Sequence, residues 1–210
     1  MSQLRSHHAI MIDAMLLALK RARFAVLSVG LTYLLAVIAG MVMVHSGNQY
    51  SLRFRDRLVG QATHGNIIQA LGRGSRTKAA LLDFGGNLLL GAVPQTVSGL
   101  AIIPPYGFAM VRGWVGGIVS VDENHHSRLA DPHERTYYLI ALILQLIPYS
   151  LTGGAGVHLG LAWFREWQRS GRARQWRLPM PRSALADALW IYALAVPLFL
   201  GASLFEFLAR

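Results

Sequence analysis

FAVLSVGLTYLLAVIAGMVMV, Phe24 to Val44, runs for 21 residues without one charged side chain. A helix needs about 20 predominantly apolar residues to cross roughly 30 Å of hydrocarbon, and this stretch has them. Lys20, Arg21 and Arg23 stand just before it. A cleaved secretory signal has an apolar stretch of only about 7–15 residues followed by a small-residue cleavage site. The longer run therefore reads as a retained first span with the N-terminus in the cytoplasm. Upstream, Ile10, Met11, Ala14, Met15, Leu17 and Ala18 recur at helical spacing. Segment 1–23 is expected either as an amphipathic helix on the inner membrane face or as a plain cytoplasmic extension of the span.

Composition agrees with a lipid setting. Of 210 residues, 53% are hydrophobic and 14% charged, and the mean hydropathy is +0.38. Soluble domains carry about 25% charged residues, so the deficit points to lipid-facing surface. The 20 Lys and Arg exceed the 10 Asp and Glu, giving a net charge of +10. These cations lie in short runs between apolar stretches, which suits the charge bias that orients membrane proteins and gives no nucleic-acid interface. With no cysteine, disulfides, thiolate zinc sites and cysteine nucleophiles are excluded.

Further spans are expected at 79–103, 108–121, 137–163 and 184–208, completing an all-α, polytopic bundle of about five spans in one domain, 24–208. Segment 45–78 carries Arg53, Arg55, Asp56, Arg57, Arg73, Arg76 and Lys78 among recurring apolar residues. It is expected outside the cytoplasm as short interfacial helices. The second span is interrupted by Gly85-Gly86 and Pro94, and Pro104-Pro105-Tyr106-Gly107 predicts a tight turn into the third. Such a Gly/Pro-interrupted hairpin is either a plain pair of spans or a re-entrant element of the kind found at functional sites. The arginine-dense loop Arg165 to Arg182 falls on the cytoplasmic side with the N-terminus, as the positive-inside rule asks.

The glycine and proline order in the centre of the chain carries a resemblance. Phe84 and Asn87 open the second span, followed by Gly107, Gly113, Gly116 and Gly117 in the hairpin. Pro148 in the fourth span precedes the ladder Gly153-Gly154-Ala155-Gly156-Val157-His158-Leu159-Gly160. From Leu81 to Gly160 this order resembles the stage II sporulation protein M family. Gln145 stands where that family often has an acidic residue, and Gly86-Asn87 where it has paired asparagines. The resemblance implies a non-catalytic member of a membrane complex and no cofactor. In spore-formers the family's role is to anchor peptidoglycan-remodelling proteins.

The candidate interaction residues are Gly113, Gly117, Pro148, Gly153, Gly156 and Gly160. The pairs Gly113/Gly117 and Gly156/Gly160 are GxxxG spacings, which let helix backbones approach closely in lipid, within the chain or between subunits. The candidate intramembrane polar residues are Asp83, Asn87 and Arg112. A lone charge near the bilayer centre costs at least about 2.5–3.5 kcal/mol, so Asp83 and Arg112 are expected to form an ion pair, Arg112 reaching outward along its side chain. Asp187 and Glu206, near the ends of the last span, read as interfacial. His125, His126, Asp131, His133 and Glu134 share one outer loop, but their spacing matches no recognised metal site. His158 reads as a packed, hydrogen-bonded residue, and Ser150 has no nucleophile-elbow context. No phosphate loop, HExxH or dinucleotide fingerprint occurs.

The sequence thus predicts a multi-pass cell-membrane protein, non-catalytic and without metal or cofactor. Its partners are the lipid bilayer and other membrane subunits, a second copy of the chain among the candidates. It acts as a scaffold or accessory subunit. The alternative is a transporter or permease component with its pathway through the hairpin at 79–121.

Overall fold

A computed structural model describes residues 2–62, 65–170 and 180–209, with side-chain surroundings given for 11–61, 65–169 and 180–209. Among these residues every regular element is helical, apart from one isolated bridge between Val121 and Ser127. Half of the 165–182 loop expected on the cytoplasmic side, residues 171–179, lies outside the described residues.

Helix α1 runs from Ser2 to His45 without a break. No proline interrupts this stretch, so residues 2–23 and the apolar run that follows form one rod. Its end is a glycine cap: Gly47 takes φ +74°, and the Gly47 and Asn48 amides bond back to the Val44 and Met43 carbonyls. Two short helices follow, α2 (Gln49–Ala62) and α3 (Asn66–Gly72). Leu52, Phe54 and Leu58 of α2 seat it on Val44, Trp114, Ile118 and Val121.

The next stretch changes its winding. Helix α4 (Arg76–Gly85) passes into a π-helical turn over Gly86–Ala92, then into α5 (Val93–Ser98) and a 3₁₀ turn at Gly99–Ala101. Pro94 has no N–H for the carbonyl one turn back, and glycines at 85, 86 and 91 resist rewinding little. The ladder widens there, as π-bulges do inside helices and often at functional positions. The chain then reverses at Ile102, which holds φ +66°, a costly conformation for a β-branched residue. Pro104 and Pro105 lie beyond the turn, in the first helical positions of α6 (Pro104–Ile118), where a missing N–H costs nothing. The expected turn at 104–107 is therefore displaced to 99–103. Helices α7 (Pro132–Ser170) and α8 (Arg182–Leu208) complete the chain.

Three helices are long and apolar enough to cross a membrane: α1 over Met11–His45, α7 over Pro132–Arg169 and α8 over Arg182–Leu208. This corrects the expectation of five. With 15 residues, α6 is about 22 Å long, short of roughly 30 Å of hydrocarbon. Its partner arm is divided into α, π, α and 3₁₀ pieces, none of spanning length. The two arms form a hairpin set among the three long apolar helices, its tip beside the Gly160 level of α7.

Helix α6 runs parallel to α1, since Gly113 abuts Tyr33 and Gly117 abuts Val37. Helix α7 runs antiparallel to both, with Ser150, Gly153 and Gly154 meeting Gly30, Val29 and Val26 in turn. The core between them holds Val29, Tyr33, Val37, Tyr149, Ile191 and Phe199. Pro148 removes one ladder bond inside α7. Nearby hydroxyls turn back onto the same helix, Ser150 to the Leu146 carbonyl and Thr152 to that of Pro148. Facing outward are Phe24, Leu27, Leu31, Leu35, Leu90 and Ile103, an apolar jacket suited to hydrocarbon and too continuous for water. Aromatic clusters mark both ends: Tyr50, Phe54 and Trp114 at one, Phe164 and Trp167 at the other.

Candidate functional site

Polar side chains inside the bundle occupy three levels. Asp83, near the Pro132 end of α7, accepts hydrogen bonds from Asn87 Nδ2 at 2.9 Å and Ser203 Oγ at 2.7 Å. Asp83 and Asn87 are one turn apart on the arm where α4 becomes π-helical, so both face inward together. The Tyr149 hydroxyl donates to Asn87 Oδ1 at 2.7 Å, and the edge of its ring meets Phe199 at a centroid distance of 4.8 Å. One chain of bonds thus ties α8, the hairpin and α7.

Arg112 does not join Asp83, and the expected ion pair is absent. Its guanidinium carbon lies 4.0 Å from the Tyr149 ring centroid, stacked as a cation on a π face. It rests against Gly91, where an added Cβ would stand 2.5 Å from Nη2. The side chain therefore reaches across the hairpin, toward the turn beyond Asn87, and away from Asp83. Glycine at 91 makes the room. Among the described residues the guanidinium has neither a carboxylate nor a hydrogen-bond acceptor. A cavity of about 400 Å³ opens beside it, lined by Tyr33, Asp83, Asn87, Arg112, Gln145 and Tyr149. Gln145 Oε1 is buried there without a partner.

The second level is a set of ties between the hairpin and the long apolar helices. Thr96 Oγ1 donates to the Thr152 carbonyl at 2.8 Å and accepts from the Tyr192 hydroxyl at 2.7 Å. Ser28 and Tyr106 share a hydrogen bond of 2.9 Å. Gly153, Gly156 and Gly160 all lie in this layer. A Cβ at Gly156 or Gly160 would strike the Thr96 or Gly99 backbone, and one at Gly153 the Gln95 amide. Gly113 and Gly117 make the equivalent close approach to α1. All five interaction glycines thus meet neighbours within this chain.

The third level is at the other end of the bundle. Asp187, 5% exposed, receives Arg21 Nη1 at 2.9 Å and His158 Nε2 at 3.2 Å, one on each oxygen. It is enclosed between α1, α7 and α8, near the start of α8. His158 meets its expectation through this bond.

The outer histidines disperse. His125 Nε2 sits 3.1 Å from both Asp56 oxygens, and Arg55 joins the same carboxylate at 3.1 Å. Partial burial raises the Asp56 pKa, but the bonds from His125 and Arg55 outweigh it and hold the carboxyl below its ordinary 3.8. Asp122 is likewise held low, first by the His126 backbone amide. Asp131 caps α7, accepting the His133 and Glu134 amides at 2.9 Å. Among the described residues no three metal-ligating side chains converge.

Tyr33, Tyr149 and Ser203 belong to this geometry and were not singled out from the sequence. The signal for Tyr149 was its spacing, since Gln145 and Tyr149 lie one turn apart on the same face as the Pro148 kink. Ser203 and Tyr33 gave no local sign. No protein family, curated protein or solved structure matches the chain.

Proposed function

We propose that the chain is a non-catalytic integral membrane subunit that holds a larger assembly together, with its N-terminus in the cytoplasm and three helices crossing the bilayer. The observation that carries this reading is the closed layer at Gly99, Gly156 and Gly160, where backbone meets backbone between the Asp83 level and the Asp187 level. A permeation route needs polar groups or water at successive depths. Here the Thr96 and Tyr192 hydroxyls of the middle layer are engaged in ties between helices. The order of Phe84, Asn87, Pro148 and the glycine ladder, similar to the stage II sporulation protein M family, favours the same role.

The test is to purify the chain from its native membrane in mild detergent and identify what co-migrates. A membrane protein recovered in fixed ratio is the expected result. A second reading, a transport component, is favoured by the unpaired Arg112 beside its cavity. Flux of a solute in proteoliposomes containing this chain alone would establish it and displace the assembly role.

A further inference from the structure

Arg112 lies near the middle of the apolar slab. Its neighbour Gly113 is level with Tyr33 and Ala36 of α1. Tyr33 is ten residues from Arg23 and twelve from His45, about 15 and 18 Å along a helix. A charge at that depth is tolerated only beside a partner or a wet cavity. Tyr149 supplies a π face but no acceptor.

Two further groups with unmet hydrogen bonds share the cavity with it. Tyr33 is 4% exposed, and its hydroxyl has no hydrogen-bond partner among the described residues. Gln145 brings an amide nitrogen that bonds to nothing described; its buried Oε1, also unmatched, is an acceptor and takes no part in holding an anion. Guanidinium, phenol and carboxamide N–H groups so placed are an oxyanion-binding set, and guanidinium is the cation best shaped for phosphate.

The other end of the cavity has the opposite character. Asp83 and Glu206 line it. Asp83 stands two turns before Gly91, where the guanidinium rests, on the order of 10 Å along the arm. A dianion would meet repulsion there. A phosphodiester joined by a two-carbon linker to an ammonium would place each charge against its complement. The wall includes Val111, 62% exposed, so the cavity opens sideways through the apolar jacket, where acyl chains would leave it.

We propose that this cavity binds the headgroup of a zwitterionic, amine-bearing phospholipid. Arg112, Tyr33 and the Gln145 amide nitrogen take the phosphate, and the ammonium faces Asp83. The site stands whether the chain is a scaffold or a transport component.

The experiment uses the purified full chain in detergent, titrated separately with dioctanoyl-phosphatidylethanolamine, dioctanoyl-phosphatidylglycerol and soluble glycerophosphoethanolamine, with binding read by thermal shift and native mass spectrometry. Saturable binding of the ethanolamine lipid is expected, roughly tenfold or more tighter than the glycerol lipid. Loss of one charge-assisted hydrogen bond changes affinity by about tenfold or more. Tyr33→Phe should weaken binding by that factor and Arg112→Gln should abolish it. Tyr33→Phe removes one oxygen and keeps the ring, so it remains informative if the Arg112 variant does not fold. Equal binding of the two lipids, binding indifferent to Tyr33→Phe, or no binding overturns the proposal. Glycerophosphoethanolamine binding as tightly as the lipid would assign the headgroup to solution and overturn the membrane source.

Discussion

Asp83 accepts bonds from Asn87 and Ser203 while Arg112 lies across the Tyr149 ring, so each charge has its own support. The two charges are linked at one remove, through Asn87 and Tyr149, and members of one such network couple by about 0.5–3 kcal/mol. A double-mutant cycle on Asp83→Asn and Arg112→Gln, read by thermal stability in detergent, should therefore show coupling at the low end of that range. The cycle Asp83→Asn with Ser203→Ala should couple by more, because those atoms touch at 2.7 Å. Several kcal/mol between Asp83 and Arg112 would contradict the geometry. Asp56 gives a pH test. Its folded carboxyl is more acidic than its ordinary 3.8, so its support of the α2 contact is complete above that value and fades as pH falls through the lower folded value. Amide exchange in 49–62 should accelerate below pH 3.8, and Asp56→Asn should exchange at that faster rate near neutrality. Sequence identified Asp83, Asn87 and Arg112 because charged and amide groups inside apolar stretches are conspicuous. It mispaired two of them because the direction of a long arginine side chain depends on the space at Gly91, which no local pattern records.

The glycines of the hairpin and α7 differ in what surrounds them, and that difference is measurable. An added Cβ meets nothing within 4 Å at Gly107 but meets the Thr96 backbone at Gly156. Gly107→Ala should be neutral or stabilise by about 0.5–1 kcal/mol through helix propensity and lost unfolded-state freedom. Gly156→Ala should cost about 1–3 kcal/mol by overpacking, and Gly156→Leu more. Thermal melts in detergent decide it; equal effects at the two positions would remove the close-packing account. The long apolar helices were legible because some 20 apolar residues in a row have few other uses. The hairpin was legible only as an interruption. Its π turn follows from Pro94 and its glycines acting on a helix already clasped by α7 and α8, and its tip lies at Ile102, because Pro104 and Pro105 begin a helix more readily than they end one.

At the scale of the molecule, the order of directions is fixed even where the number of spans is not. The 122–131 turn and the start of α8 lie at opposite ends of the bundle. Cysteines placed at Asn124 and Ser183 in this cysteine-free chain should react oppositely with an impermeant maleimide added to intact cells, Asn124→Cys labelling and Ser183→Cys staying protected. Equal labelling from outside would refute the transmembrane arrangement. The hairpin's ties also bear on how the protein is made. Asn87 waits for Tyr149, 62 residues later, and Asp83 for Ser203, 120 residues later. A ribosome delivers the hairpin well before either partner exists, and during that interval only α1 is present to shelter α6. Arg112 and the loosened π turn have no stable place in lipid at that stage. The hairpin therefore has its full set of polar partners only once α8 has been made.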